Sequence, residues 1–185
     1  MYKFTAMINI KKLLLAVFMI SCVMVPEVSA QEALKPRPSP LEMITMKYEN
    51  TYIKITYGRP HKRGRNIFGD LLPYGEVWRT GANEATEITI TGTVKIGGQQ
   101  IKPGTYTLFS IPNKDNWTII LNSELGQWGA YNYNSKMDVV RFEAPVSATE
   151  EVYEPFTIEF QQKAQSAELV MMWDQTKVTI PIEFM

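Results

Sequence analysis

The single histidine of this chain, His61, sits in the run Arg59-Pro60-His61-Lys62-Arg63-Gly64-Arg65, which packs four permanent cations into seven residues. Charges that dense repel one another unless an anion or neighbouring carboxylates offset them. Arginine forks match a carboxylate, phosphate or sulfate in two-pronged fashion, so Arg59 and Arg65 are candidate anion ligands. Asp70, Glu76, Glu84 and Glu87 stand near enough in sequence to neutralise the run internally instead. A further alternative is a solvated loop whose charges keep an edge strand from pairing with neighbours. His61 is the one side chain here that titrates near neutral pH without perturbation. As a general base it needs an orienting carboxylate, for which Asp70, Glu84 and Asp138 are candidates. A lone histidine leaves a zinc ion only carboxylates as further protein ligands, so neither a metal nor a cofactor is expected.

A second set follows in Trp78-Arg79-Thr80-Gly81-Ala82-Asn83-Glu84. Arg79, Asn83 and Glu84 offer a fork, an amide and a carboxylate within six positions. Gly81 and Ala82 let the backbone pass close to a neighbour. Such a set can bind a polar ligand, with Trp78 stacking on it. It can equally form a buried network that ties a loop to a sheet, because buried polar groups must be paired. Trp128-Gly129-Ala130-Tyr131-Asn132-Tyr133 is the third candidate, with Trp128 and Tyr131 available to stack on a flat ligand or to fold onto the core. Asp138 and Arg141, three apart, would point to opposite faces of a regular strand, so spacing alone does not pair them. No nucleophile elbow, phosphate-binding loop or dinucleotide fingerprint occurs in the part of the chain that follows residue 30.

These groups must be positioned by strands. Residues 42–48 and 51–57 flank Glu49-Asn50 as a predicted hairpin, and Val94–Ile96 leads into a Gly97-Gly98 turn. Strands are predicted over 87–91, 105–111, 117–121, 139–146, 156–160 and 178–184, each with apolar residues at every second position. Leu169–Trp173 is apolar throughout, as suits a strand covered on both faces. Pro155 and Pro181 belong at strand starts or edges. No helical stripe exceeds two turns. The pattern predicts an all-β fold, a single antiparallel β-sandwich of immunoglobulin-like or jelly-roll-like type, over residues 41–185. A long irregular loop at 57–86 interrupts it, anchored by Ile67, Phe68, Leu71, Leu72 and Trp78. Loops of that length are uncommon in compact domains unless they are functional or disordered.

Residues 1–30 read as a secretory signal peptide: Lys11 and Lys12, an apolar run Leu13–Ile20, and Val28-Ser29-Ala30 at the exit. The run is shorter than the roughly 20 apolar residues a transmembrane helix needs. Met19-Ile20-Ser21-Cys22 weakly resembles a lipoprotein box. Met19 replaces the usual leucine, however, and Val23, Met24 and Val25 stay apolar where a lipoprotein turns polar. A periplasmic or secreted protein is therefore favoured over one lipidated at Cys22. Cleavage after Ala30 removes the one cysteine, and with it any disulfide. Residues 31–40, QEALKPRPSP, form a proline-rich leader, expected to serve as a tether. Without residues 1–30 the chain holds 16 basic and 18 acidic residues, which argues against nucleic acid as a partner. The oligomeric state is not legible.

Taken together, YGRP, GRNIFGDLLPYGEVWRTGANEAT, PGTYTLFSIP, WGAYNY and DVVRF resemble a family of exported bacterial proteins known as domain of unknown function 2911, over residues 40–165. The resemblance implies an exported, β-rich, single-domain protein and implies no activity. Three functions remain open. One is a binding protein for a small polar or anionic molecule, using Arg59, His61, Arg65, Trp78, Arg79, Asn83 and Glu84 with Trp128 and Tyr131 from the 127–133 loop. Another is a metal-independent hydrolase in which His61 works with Glu84 or Asp70. The last is a structural or assembly role in which the loop is an internal brace.

Overall fold

The computed structural model describes residues 36–185. The signal segment with Cys22, and the leader up to Lys35, lie outside the described residues. Nine strands form one antiparallel sheet in the order β1-β2-β3-β6-β7-β8-β9-β4-β5. They are β1 Leu41–Tyr48, β2 Thr51–Gly58, β3 Thr86–Ile90, β4 Val94–Ile96, β5 Gln99–Ile101, β6 Gly104–Ile111, β7 Asn116–Asn122, β8 Asp138–Gln162 and β9 Ser166–Phe184. The only helical piece among the described residues is a 3-10 turn, Ser135–Met137. No described helix is long and apolar enough to cross a membrane.

Alternation explains the elements. In β2, Ile53, Ile55 and Tyr57 face inward while Tyr52 and Lys54 do not, and β3 buries Ile88 and Ile90 in the same way. The Gly97-Gly98 turn closes β4 onto β5 with both glycines at positive φ, as a two-residue hairpin of matching twist requires. Leu169–Trp173 is buried at all five positions, so this run is covered on both faces.

Two long strands replace what alternation divides into four. Residues 139–146 and 156–160 belong to one strand, β8, and 169–173 and 178–184 to another, β9. The stretch between them in β8 is polar and exposed, and its pairing with β9 shifts register twice, between Ala148 and Tyr153 and again before Thr157. Such bulges break the period of two without ending the strand. β8 pairs with β7 through Pro145 and with β9 from Val146 onward, so it carries the chain from one half of the sheet into the other. The halves close over one apolar interior. Tyr57 of β2 packs edge-on against Phe156 of β8, and its hydroxyl accepts the Ile158 N–H at 3.1 Å. Tyr48 stacks on Phe184 at 4.3 Å. This is the sandwich that the pattern predicts. At Pro181 the ladder to β8 has ended, and its carbonyl accepts Gly97 N–H on the β4 side.

Asp138 and Arg141 do meet, against the regular-strand expectation. β8 skips a residue between the pairs Leu121–Val140 and Asn122–Asp138, which turns Asp138 toward Arg141. The Arg141 guanidinium donates to the Asp138 carboxylate at 3.0 Å and to the Tyr133 hydroxyl at 2.7 Å, and buried Asn122 donates to Asp138 at 2.9 Å.

Candidate functional site

The irregular span runs from Arg59 to Ala85, between β2 and β3, and its two halves are held differently. In the first half Phe156 N–H donates to Pro60, Lys62 N–H donates to Glu154, and His61 pairs with Pro155. The loop thus fills the place where β8 has left its register with β9. The two acids that pair with side chains of the cationic run come from strands, not from its sequence neighbours, and a third strand acid accepts a backbone N–H. Lys62 Nζ reaches Asp174 of β9 at 2.8 Å, Arg59 lies 3.6 Å from Glu42 of β1, and Glu154 of β8 accepts Arg63 N–H at 2.7 Å. Asp70, Glu76, Glu84 and Glu87 play no such part among the described residues; Glu84 pairs with Arg37 instead. Arg65 is turned back onto its own loop, donating to the carbonyls of His61 and Lys62 at 2.6 and 2.9 Å.

His61 is half-buried, and its ring makes no hydrogen bond or ion pair among the described residues. No carboxylate of the described residues orients it. Among the described residues no three His, Cys, Asp or Glu side chains cluster to hold a metal ion.

The second half is tied to β2 and β6. Trp78 exchanges both backbone bonds with Ser110, at 2.7 and 2.9 Å, extending the sheet where β3 has not yet begun. Its indole N–H donates to the Gly81 carbonyl at 2.9 Å. Thr80 is fully buried at φ +51°, a left-handed conformation that a β-branched residue rarely adopts. Its hydroxyl bonds Ser110 at 3.0 Å, and its carbonyl accepts the Thr86 hydroxyl at 2.8 Å. Asn83 is also left-handed, at φ +63°. Strained positions of this kind cost about 1–3 kcal/mol each and persist only where surrounding bonds over-determine them. Between the two, Ala82 N–H donates to the Gly58 carbonyl at 3.0 Å. The small residues therefore serve the approach of the loop to the end of β2.

While this backbone is a brace, its polar side chains are not absorbed by it. A cleft of about 320 Å³ opens between the two halves of the loop, lined by Arg65, Arg79, Asn83, Trp78, Leu71 and Leu72, with Trp173 of β9, Pro60 and Ser39. Among the described residues no carboxylate lines it. The Arg79 guanidinium makes no hydrogen bond or ion pair among the described residues, and its Nε is buried without a partner. The Arg59 Nε is also unpartnered, but that guanidinium is engaged through its terminal nitrogens with Thr157 and Glu42.

Of the sequence candidates, Arg65, Trp78, Arg79 and Asn83 meet in this cleft. Trp78 is buried and already stacked on Trp173, with centroids 5.9 Å apart at 19°, so it offers the cleft an edge of the core and not a free face. Glu84 faces a different cavity. Trp128 and Tyr131 are 58% and 83% exposed and are not among the residues lining the cleft. Their loop supports it from behind, where Gly129 N–H donates to Asn83 and Ala85 N–H to Gln127.

The leader contributes more than a tether. Pro38, Ser39 and Pro40 present three successive carbonyls to the loop. The Arg63 guanidinium takes the first at 2.9 Å, the Asn83 amide the second at 3.2 Å, and Arg59 N–H the third at 2.8 Å. Arg37 grips both oxygens of Glu84 at 2.7 and 2.9 Å. That hydrogen bond, with Glu84's own backbone amide, holds its carboxyl below the ordinary value of 4.5. The pair is fully formed above that value and is lost as pH falls through the lowered one. In Arg37→Ala, an NMR titration should show the Glu84 midpoint move up toward the ordinary value, though not all the way. An unmoved midpoint would mean that Arg37 does not hold Glu84 in solution. Proline supplies carbonyls without N–H donors, which suits a segment that docks by its acceptors alone.

The fold and cleft define an all-β sandwich protein whose candidate site is built from one long loop and a strap. The chain matches the family described as Protein of unknown function (DUF2911) over residues 39–182, and it belongs to that family. No curated protein and no solved structure matches it.

Proposed function

We propose that the protein is an exported envelope protein that binds a small anionic molecule in the cleft between Arg65 and Arg79. One observation carries the proposal: a half-buried guanidinium with no protein partner among the described residues, in a cleft lined by two arginines and no acid. A desolvated donor left unpaired costs about 1–3 kcal/mol, more when charged, and an anion in the cleft removes that cost. Leu71, Leu72 and the edges of Trp78 and Trp173 give the ligand apolar walls, while Asn83 supplies an amide. A carboxylate or phosphate on a compact apolar body fits this mixture. The first half of the loop serves as a clamp, and the 127–133 loop as a support. The hydrolase alternative has no oriented base to draw on.

Thermal-shift measurements with benzoate, succinate and glucose 6-phosphate test the proposal. An anion at about 100 times its dissociation constant adds roughly 2.7 kcal/mol of stability and raises the melting temperature. Arg79→Ala should weaken binding of that anion by about tenfold or more, since a hydrogen bond to a charged group is worth about 1.5–3 kcal/mol. If no anion shifts the wild-type protein, or if Arg79→Ala binds as tightly, the cleft is not an anion site.

A further inference from the structure

Asn83 and Glu84 face opposite ways from a backbone held by the 127–133 loop, and Glu84 borders a second cavity of about 260 Å³. This cavity lies between the start of β1, the end of β2 and the segments 84–87 and 126–127. Leu41 and Ala85 give it apolar walls. Its charged lining residues are Glu84 and Glu87; among the described residues no lysine, arginine or histidine lines it. Its polarity is thus the reverse of the arginine cleft.

Gln127 supplies the second observation. It is 8% exposed, and its amide Nε2 donates to the Glu124 carbonyl at 3.3 Å, which fixes which end of the amide is oxygen. The Oε1 that remains is buried and has no hydrogen-bond partner among the described residues. Buried acceptors are almost always paired, so an orphan in a cavity wall calls for a donor. Glu87 gives one carboxylate oxygen to Gly126 N–H at 3.0 Å. At the rim the chain displays the chemistry that Glu84 accepts: the Arg37 guanidinium seated on both its oxygens.

We infer that this cavity is a second binding site, specific for a cation on an apolar stem, such as a primary alkylammonium or an arylamidinium. The stem packs against Leu41 and Ala85. The cationic N–H donors meet the Gln127 Oε1 and the Glu87 carboxylate. Glu84 is held by Arg37, so the strap competes with the ligand for that carboxylate, and releasing it strengthens the site. The inference is independent of the anion cleft, because it uses none of the cleft's arginines.

The test is a titration of the full-length mature protein, followed by backbone NMR shifts, with hexylammonium as probe and hexan-1-ol and hexanoate as comparators of equal length. Hexylammonium should saturate the shifts of residues 56–58 and 126–127, with hexan-1-ol at least tenfold weaker and hexanoate weaker still. Gln127→Leu and Glu87→Gln should each weaken hexylammonium about tenfold. Arg37→Ala should tighten it severalfold, and Arg79→Ala should leave it unchanged. Because Gln127→Leu alters a buried position, Glu87→Gln at a half-exposed one decides the matter if the former fails to fold. Equal affinity for hexan-1-ol and hexylammonium, or no saturation at these residues, would overturn the inference. Loss of anion binding in Arg79→Ala, with hexylammonium binding kept, would separate the two sites.

Discussion

Gly58→Ala should cost the protein about 3 kcal/mol or more and release the second half of the loop, which exceeds the usual range for a one-carbon insertion because no neighbour can yield. A Cβ built on Gly58 lies 1.9 Å from the Ala82 carbonyl oxygen and 2.8 Å from its carbon. Both are backbone atoms, in a segment tied down on every side. Ala82 N–H bonds the Gly58 carbonyl, Gly81 receives the Trp78 indole, and Thr86 holds both the carbonyl of Arg79 and that of Thr80. The contact cannot relax by rotating a side chain. Either β2 shifts in a fully packed sheet or the loop lifts away from it. Urea unfolding gives the stability loss, and amide exchange at Ala82 reports the loop directly. A loss under about 1 kcal/mol with Ala82 still protected would show that the approach is looser than the structure has it.

Trp78→Ala is the other large effect, about 3–5 kcal/mol, the range for emptying a buried aromatic site. Trp78 meets Trp117 edge-on at 5.8 Å, Phe156 at 4.9 Å and Trp173 in a stack at 5.9 Å. It joins residues from the loop, β7, β8 and β9 in one cluster, so its loss opens a cavity that four elements share. It also leaves the Gly81 carbonyl without its donor. Near-UV circular dichroism should lose the signal of the stacked pair, and chemical unfolding should show the drop in stability. Anion binding in the proposed cleft should weaken as well, because Trp78 forms part of its wall. A loss below about 1.5 kcal/mol would place the indole outside the core.

These two residues show how far local sequence reaches. Trp78 stands out in the chain as an apolar anchor within an irregular run, and the structure buries it. Gly58 stands in the chain only as a member of the YGRP motif, with nothing to mark a close approach. It matters because residue 82 returns to it, and nothing in the intervening residues says where the return falls. The strands were legible because alternation is a property of neighbours along the chain: eight of the nine are at least partly outlined by it. The continuity of β8 and β9 was not, since register shifts at 148–157 and the left-handed Asp174, at φ +54°, break the period that marks a strand.

The sites divide along the same line. Arg65, Arg79 and Asn83 were visible as polar groups in a loop, but their common cleft, and its separation from Glu84, follows from backbone pairing of 83–85 with 127–129. The strap of Pro38–Pro40 lay in a segment that composition alone marks as a tether. Trp173 was legible as a buried strand residue and not as the far wall of a cleft.

By itself, then, the sequence determined an all-β sandwich, its hairpins, and the long loop that holds the polar groups. Each of these depends on residue type and on spacing over two to ten positions. Tertiary structure alone decided which cations find acids, which guanidinium is left unpartnered, and which cavity is acid-free. Charge pairing acts across strands that are far apart in sequence, so it depends on strand order and register. Within the run Arg59–Arg65, Arg59 meets Glu42 and Lys62 meets Asp174, 17 and 112 residues away, whereas Arg79 meets no acid among the described residues.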